Sequence, residues 1–275
     1  MEVRDAGRRK RADKTRRDET VPGLFRAGAQ TGLPEYKRKY HGEWPDRSKA
    51  IFALDGGIML KYDHIMFDMD GTFVDSRNFH GLAFQRYFKQ CGKDVDMEAV
   101  KDALGVTILD IFHRIGITGA EEEKAFDHLA EFYLTDADDL ILEIPFGDRA
   151  KETFSALHEK GYRMSVVTNS FTELTEKILE LHGIGYCFAE VAGADRHSLD
   201  KEQRCRSLLE KYGVDAGRAL YVGDAERDIE IANTIGCDSC FADVPIGWAK
   251  DKRRVYEELK PTFTVQALDG LMDFL

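Results

Sequence analysis

The chain has 275 residues, a formal net charge of −11 at pH 7 and an apolar content of 43%. This length is enough for one large domain or two small ones with a full hydrophobic core. Residues 1–58 are net basic, so the acidic excess lies in the remainder of the chain. An acidic surface repels the phosphate backbone of nucleic acids, and we therefore predict no nucleic-acid partner.

No apolar run approaches the roughly 18 residues that a membrane-spanning helix needs, so we predict no membrane partner. The five cysteines are scattered along the chain and odd in number. This usage favours structural thiols in a reducing compartment over a disulfide framework. Together these features predict a cytoplasmic protein.

Residues 1–58 combine charges of both signs with scattered glycine, proline and aromatic residues, and they show no hydrophobic period. A segment of this composition buries too little apolar surface to offset the entropy lost on ordering. We predict a disordered N-terminal extension that is dispensable for catalysis. A compact domain begins at Met59 in this interpretation.

The first predicted strand carries the central motif of the chain. His64-Ile-Met-Phe-Asp-Met-Asp-Gly-Thr72 runs from apolar residues into two aspartates, which is typical of a buried strand that ends in a crevice. Asp68 and Asp70 are two positions apart on a strand, so their side chains point to the same face. Carboxylates this close require a bound cation or a retained proton. Gly71 then permits a sharp turn and a close approach to a ligand.

Residues 78–140 show the apolar period of amphipathic helices. Large side chains recur at intervals of three and four residues, as at Phe84 and Phe88 and again at Ile108, Ile111 and Phe112. This pattern predicts a small helical bundle. Two linkers, near residues 75–78 and 143–147, would join it to the rest of the chain, and we expect them to be mobile rather than packed.

From residue 141 the pattern changes to alternating strands and helices. Strands are predicted at 163–167, 188–191, 219–222, 239–242 and 262–265, and helices at 149–160, 172–182, 201–212 and 226–235. The alternation predicts an α/β fold: a doubly wound, Rossmann-like parallel sheet with an inserted α-helical cap. In this division residues 59–77 and 141–275 form the catalytic core, and residues 78–140 form the cap.

Polar residues follow the predicted strands at the positions where ligands bind in such sheets. They are Asp68 and Asp70, Thr168 and Asn169, Lys201 at the start of a helix, and Asp224 with Asp228. Together they supply oxygen ligands for a hard cation, a hydroxyl and backbone amides for phosphate oxygens, and a lysine that neutralises charge. These are the groups that phosphoryl transfer requires.

These four segments, in this order, resemble the four motifs of the haloacid dehalogenase superfamily. The resemblance covers about residues 62–275 and is closest to the phosphoglycolate-phosphatase-like and beta-phosphoglucomutase-like members, which carry a helical cap after the first motif. It implies a magnesium-dependent phosphatase that hydrolyses a small phosphorylated metabolite through an aspartyl-phosphate intermediate.

The resemblance also implies roles for individual residues. Asp68 is the nucleophile, Asp70 is the acid and base, and Thr168 and Lys201 hold the phosphoryl group. The Mg²⁺ ligands are Asp68, Asp70 through its backbone carbonyl, Asp224 and Asp228, the last as a ligand or as a residue behind the ligands. Further contacts with substrate or phosphate are predicted for Gly71, Thr72, Asn169 and His80.

Two alternatives stay open at this point. A phosphomutase would hold a second phosphate, but Gly105-Val-Thr-Ile-Leu-Asp110 has no arginine where the beta-phosphoglucomutase has one. A non-catalytic binding protein with the same fold would be expected to have lost Asp68 or Asp70, and both are present. Hydrolysis of a generic aryl phosphate with and without Mg²⁺ distinguishes the enzyme from the binding protein.

Overall fold

A computed structural model describes residues 60–195 and 200–275, which all fall in one compact unit. The strands are β1 His64–Phe67, β2 Met164–Phe171, β3 Glu190–Ala194, β4 Ala219–Gly223, β5 Asp238–Ala242 and β6 Phe263–Val265. They form one parallel sheet in the order β3-β2-β1-β4-β5-β6. The predicted doubly wound α/β fold is therefore confirmed, and the prediction for residues 1–58 lies outside the described residues.

Ten α-helices accompany the sheet in the described part of the chain. The first five lie between β1 and the linker near residues 143–147: α1 Arg77–Gln90, α2 Met97–Ala103, α3 Ile108–Arg114, α4 Ala120–Thr135 and α5 Asp138–Leu142. The others are α6 Ala150–Glu159, α7 Thr172–Leu181, α8 Lys201–Tyr212, α9 Glu226–Ile235 and the short α10 Lys252–Arg254. Near the C-terminus the chain forms a 3₁₀ helix, Leu268–Asp273. No helix among the described residues is long and apolar enough to cross a membrane.

Both faces of the sheet are covered by helices. Alternate residues of β1 point to opposite faces, so Phe67 packs in a core shared with Phe154 of α6 and Ile178 of α7. Met66 packs in the second core, with Leu208 of α8 and other side chains of α9. Burial on both faces explains why the strands read as continuous apolar runs. Their carboxyl ends meet at one edge of the sheet.

The connections between the sheet and helices α1–α5 are paired with each other. Val74 and Phe146 form an antiparallel β-bridge. The Asp75 amide donates to the Pro145 carbonyl at 2.8 Å, and the Gly147 amide donates to the Phe73 carbonyl at 2.9 Å. The expectation that these linkers are unpacked is therefore wrong. Two short extended segments satisfy each other's backbone groups, which isolated linkers would have to expose.

Helices α1–α5 also contact the rest of the protein beyond the linkers. Lys177 of α7 donates to the Leu134 carbonyl at 2.7 Å and pairs with Asp138. The rings of Phe126 and Phe171 meet edge to face, with centroids 4.9 Å apart. The buried apolar side chains of α1–α5 belong to the same core as those of β1 and α7. The division into a core and a cap thus stays a prediction.

One buried histidine lies at the amino end of β1, remote from the carboxyl edge. His64 is fully buried, and its Nε2 is 2.9 Å from the Ser165 hydroxyl. Burial, with a smaller contribution from the charge of Arg163, lowers the pKa of His64 to about 3. In the unfolded chain a histidine takes up a proton below about pH 6.5. His64 therefore makes the folded state less stable as the pH falls from about 6.5 to about 3, and has no such effect above that window.

We expect His64→Gln to reduce the dependence of the free energy of unfolding on pH below about pH 7. The free energy of unfolding of the parent should fall more steeply than that of the variant between about pH 7 and pH 4, by up to about 1.4 kcal/mol per pH unit. Urea denaturation at a series of pH values measures both slopes. The His113→Gln variant serves as the control, because it removes an exposed histidine instead of a buried one. Parallel curves for His64→Gln and the parent would contradict a neutral buried His64.

Candidate active site

A pocket opens at the carboxyl edge of the sheet and, with the open space at its mouth included, measures about 620 Å³. Its polar lining comes from the ends of β1, β2 and β4 and from the first turns of α8 and α9. These residues are Asp68, Asp70, Thr168, Asn169, Ser170, Lys201, Asp224, Arg227 and Asp228. The inserted helices and their loops add His80, Phe84, Leu104, Gly105, Val106 and Ile111. The segments predicted to meet at this edge therefore do so.

Lys201 lies between two buried carboxylates. Its ammonium nitrogen is 2.9 Å from Asp68 Oδ1 and 2.8 Å from Asp228 Oδ1. Burial lowers the pKa of Lys201, but the charges of Asp228 and Asp68 outweigh it and hold that pKa above its usual range. The pKa of Asp68 is raised well above its usual value, first by burial and then by its carboxylate neighbours, with Lys201 opposing the shift. Lys201 is therefore charged and balances part of the negative charge.

Helix starts place both partners of this interaction. The Asp200 side chain accepts from the Glu202 amide at 2.9 Å, so it caps α8 and puts Lys201 at the first helical position. The Ala225 amide donates to Asp228 Oδ2 at 3.0 Å in the first turn of α9. A Cβ on Gly223 would lie only 2.4 Å from Asp228 Cγ, so glycine is needed for this close approach.

Asp224 is held by two hydrogen bonds from neutral groups. The Thr72 hydroxyl donates to Oδ1 at 2.7 Å, and the Trp248 backbone amide donates to Oδ2 at 2.5 Å. Gly71 packs against the same carboxylate in a left-handed conformation, with φ of +86°. Burial, followed by the charge of Asp228, raises the pKa of Asp224 to about 7 despite these donors.

The three carboxylates form a group that fits a hard divalent cation. One oxygen each from Asp68, Asp224 and Asp228 lies within 4.8 Å of the others, and all three residues are buried. Carboxylate oxygens are the ligands that Mg²⁺ takes in proteins. Among the described residues, Lys201 is the cation paired with this group, so three carboxylates face one ammonium. This donor set and its uncompensated charge are compatible with a bound metal ion.

The Asp70 carboxylate is not part of that group, because four side-chain donors surround it. Ser76 and His80 bond to Oδ1 at 2.5 and 3.1 Å, and Thr168 and Ser170 donate to Oδ2 at 2.9 and 2.7 Å. Burial would raise the pKa of Asp70, but the hydrogen bond and charge of His80, with the serine hydroxyls, lower it to about 2. Asp70 is therefore held as a carboxylate.

Arg204 fixes the segment at the end of β2. Its Nη2 donates to the Thr168 carbonyl and to Asn169 Oδ1, both at 2.9 Å. The side chain is buried and lies one turn along α8 from Lys201. Helix α8 thus positions two parts of the pocket at once, through Lys201 at its start and through Arg204 in the next turn.

The family of the protein follows from comparison with known sequences. The model of the haloacid dehalogenase-like hydrolase family matches residues 65–242, which include all four segments around the pocket. The chain belongs to this family. The resemblance inferred from the motifs is confirmed, as is the prediction of a hydrolase of this family.

Relatives within the haloacid dehalogenase-like hydrolases include phosphatases. A phosphoglycolate phosphatase from Vibrio parahaemolyticus is 32% identical over 193 residues, covering 64% of this chain and 81% of the relative. The pyrophosphatase PpaX from Listeria monocytogenes is 25% identical over 216 residues, or 77% and 95% of the two chains. A haloacid dehalogenase-like hydrolase from Streptococcus pneumoniae matches the fold with a TM-score of 0.65 at 18% identity, over 78% of this chain and 99% of that one.

Two of the predicted site residues of this hydrolase lie behind the pocket lining rather than in it. Thr72 is fully buried and donates to Asp224, and Gly71 packs against Asp224 and Trp248. The other predicted side chains line the pocket, although Asn169 is held by Arg204. Their roles in binding and catalysis stay predictions.

The sequence interpretation did not include Ser76, Ser170, Arg204 and Trp248. Two of these residues could have been found from their positions in the sequence. Ser170 shares a strand face with Thr168 if β2 is extended by three residues, and Arg204 lies three positions after Lys201 on one helix. Trp248 follows β5 in a loop that has no motif, and only the fold brings it to Gly71.

We expect Gly71→Ala to weaken the binding of divalent cations. The added Cβ would lie 2.6 Å from Asp224 Oδ2, and φ of +86° is strained for alanine. Titration calorimetry with Mg²⁺ should show a loss of affinity of about tenfold or more. The control is Gly92→Ala, which has φ of +74° with no atom within 4 Å of the added Cβ. It carries the same backbone strain, so equal Mg²⁺ affinity in both variants would contradict a role for Asp224 in holding the metal.

Proposed function

We propose that this chain is a magnesium-dependent phosphatase that hydrolyses a small-molecule phosphomonoester through an aspartyl phosphate on Asp68. The observation that carries the proposal is the buried group of Asp68, Asp224 and Asp228 around Lys201, open to one pocket. The names of the relatives support phosphatase chemistry. A Mg²⁺ ion held by the three carboxylates, with the Asp70 carbonyl, would offset negative charge on the phosphoryl oxygens.

In the first step an oxygen of Asp68 attacks phosphorus. The bond between phosphorus and the ester oxygen breaks, and its electron pair stays with the departing alcohol oxygen. Asp70 supplies the proton that this oxygen takes up. Lys201 pairs with the phosphoryl oxygens and with Asp68, which keeps the nucleophile aligned. The covalent route divides one difficult displacement into two easier ones.

In the second step water attacks the same phosphorus and gives up a proton to Asp70. The bond between phosphorus and the Asp68 oxygen breaks, which restores the carboxylate and releases phosphate. Asp70 therefore needs a proton at the first step and none at the second. The proton that Asp70 takes from water is the one that it gives to the next leaving oxygen. Its hydrogen-bond donors in this structure include Thr168 and Ser170. When these hydroxyls turn to phosphoryl oxygens, Asp70 loses hydrogen bonds that stabilise its charge, and it holds a proton more readily.

We further propose that residues 78–140 act as a cap on a core formed by residues 59–77 and 141–275. The side chains of Phe84, Leu104 and Ile111 support this assignment, because they line the pocket from the inserted helices. A covered pocket excludes water while the aspartyl phosphate forms. The paired linkers would let the inserted helices move together as one body.

We expect Asp68→Asn to reduce turnover of a generic aryl phosphate by about 10³-fold or more while the protein stays folded, because the amide is a poor nucleophile. The assay is steady-state hydrolysis with Mg²⁺, with circular dichroism as the check on folding. Acid quench of the parent followed by mass spectrometry should find the phosphoryl group on the peptide that contains Asp68. Glu159→Gln, an exposed carboxylate on α6, is the control and should keep parent activity. Substantial residual turnover in Asp68→Asn would remove Asp68 as the nucleophile.

We expect Asp70→Asn and Asp224→Asn to differ in their dependence on Mg²⁺. Asp70→Asn should lower kcat by about 10²–10⁴-fold, because proton transfer is lost, and should keep the parent requirement for Mg²⁺. Asp224→Asn removes one anionic ligand and should raise the Mg²⁺ concentration needed for half-maximal activity. Titrating Mg²⁺ against activity separates the two effects. If both variants had the metal dependence of the parent, these roles would be wrongly divided.

A further inference from the structure

The pocket has an apolar part that the proposed chemistry does not use. Phe84, Leu104, Val106 and Ile111 line it from the inserted helices and their loops, and Trp248 lines it from the loop after β5. In the proposed function the carboxylates and Lys201 bind the phosphoryl group. The apolar side chains are therefore free to contact the alcohol part of a phosphomonoester. Apolar surface of this kind binds apolar groups by removing them from water.

The basic side chains that line the pocket in the described part of the chain already have partners. Lys201 bonds to Asp68 and Asp228, and His80 is bonded to Asp70 and to the hydroxyl of Tyr133. Arg227, with 55% of its side chain exposed, pairs with Glu230, and the Arg77 guanidinium lies over the Trp248 ring, 5.4 Å from its centroid. A second anionic group would have to draw one of these side chains away from its present partner, which weakens the binding of such a group.

Trp248 offers a flat surface in a fixed position. Its backbone amide is held by Asp224, and its indole packs against the turn at Gly71. Gly105 lies beside the ring, because a Cβ added there would be in van der Waals contact with the indole, at 3.9 Å. The indole nitrogen is buried and has no hydrogen-bond partner among the described residues. An aromatic or aliphatic group is the type of ligand that such a surface accepts.

We propose that the preferred substrate is the phosphate ester of an uncharged alcohol whose apolar body packs against Trp248, Leu104 and Val106. This inference rests on the proposed function, and it differs from the substrates that the relatives' names give. Phosphoglycolate and pyrophosphate each carry a second anionic group close to the phosphoryl group. The alcohol part selected here is apolar.

Binding of two phosphonates that differ in this part tests the proposal. Benzylphosphonate carries an apolar ring, and phosphonoacetate carries a carboxylate. In titration calorimetry with the full chain and Mg²⁺, benzylphosphonate should bind at least about tenfold more tightly. Equal affinities, or tighter binding of phosphonoacetate, would overturn the proposal.

Variants of the apolar lining assign the preference to particular residues. Val106→Arg should reverse it, because the guanidinium supplies the missing partner for a carboxylate. Leu142→Arg places the same side chain at an exposed apolar position outside the pocket lining and should leave the preference unchanged. Trp248→Ala should lower the affinity for benzylphosphonate by about fivefold or more and leave the affinity for inorganic phosphate unchanged. Unchanged benzylphosphonate affinity in a folded Trp248→Ala protein would overturn the assignment.

Turnover separates this inference from the proposed function. Tighter binding of benzylphosphonate without hydrolysis of benzyl phosphate, phosphoglycolate or pyrophosphate would contradict the proposed function and support the ligand class. Hydrolysis that depends on Asp68 but is fastest with phosphoglycolate would support the proposed function and overturn the ligand class.

Discussion

The interaction on which the pocket depends is the pairing of Lys201 with Asp68 and Asp228. Three buried carboxylates within a few ångströms of one another are strongly unfavourable without positive charge. Lys201 supplies one charge at 2.8–2.9 Å from two of them. Neutral donors, such as the Ala225 and Trp248 amides and the Thr72 hydroxyl, stabilise the carboxylates further but do not cancel their remaining charge. Backbone amides and the start of α9 therefore stabilise negative charge at one place in the fold.

The two aspartates of the first motif are two residues apart but have opposite environments. Asp68 shares its surroundings with other carboxylates, so burial and repulsion raise its pKa. Asp70 is surrounded by hydroxyl groups and His80, and these hold its pKa at about 2. A group of donors that can turn away is a means of changing the charge preference of Asp70 during a reaction. The same β-strand end thus provides one carboxylate that faces other carboxylates and another that is surrounded by hydrogen-bond donors.

Much of this arrangement could be predicted from the sequence because it follows from strand ends. The apolar run before Asp68 and the strand before Asp224 identify neighbouring strands of a parallel sheet, and their carboxyl ends must share an edge. The cap of α8 also depends only on neighbouring residues, because the Asp200 side chain accepts from the Glu202 amide. Contacts between distant loops were not predictable in this way. Trp248 reaches Gly71, and Ser76 reaches Asp70, through turns whose path no period or motif defines. The pairing of Val74 with Phe146 was missed because a single bridge has no alternating pattern.

The carboxylates and the apolar lining also have separate origins in the chain. The chemical groups lie at the ends of β1, β2 and β4 and at the starts of α8 and α9, where the sheet fixes them. Most of the apolar lining comes from α1–α3 and the loops between them, which the sheet does not constrain. Substitutions such as those at Leu104 or Val106 can therefore change the apolar part of the pocket without moving Asp68 or Lys201. Membership of the family consequently defines the reaction type more closely than the substrate, and the side chains that select the substrate have to be read from this chain.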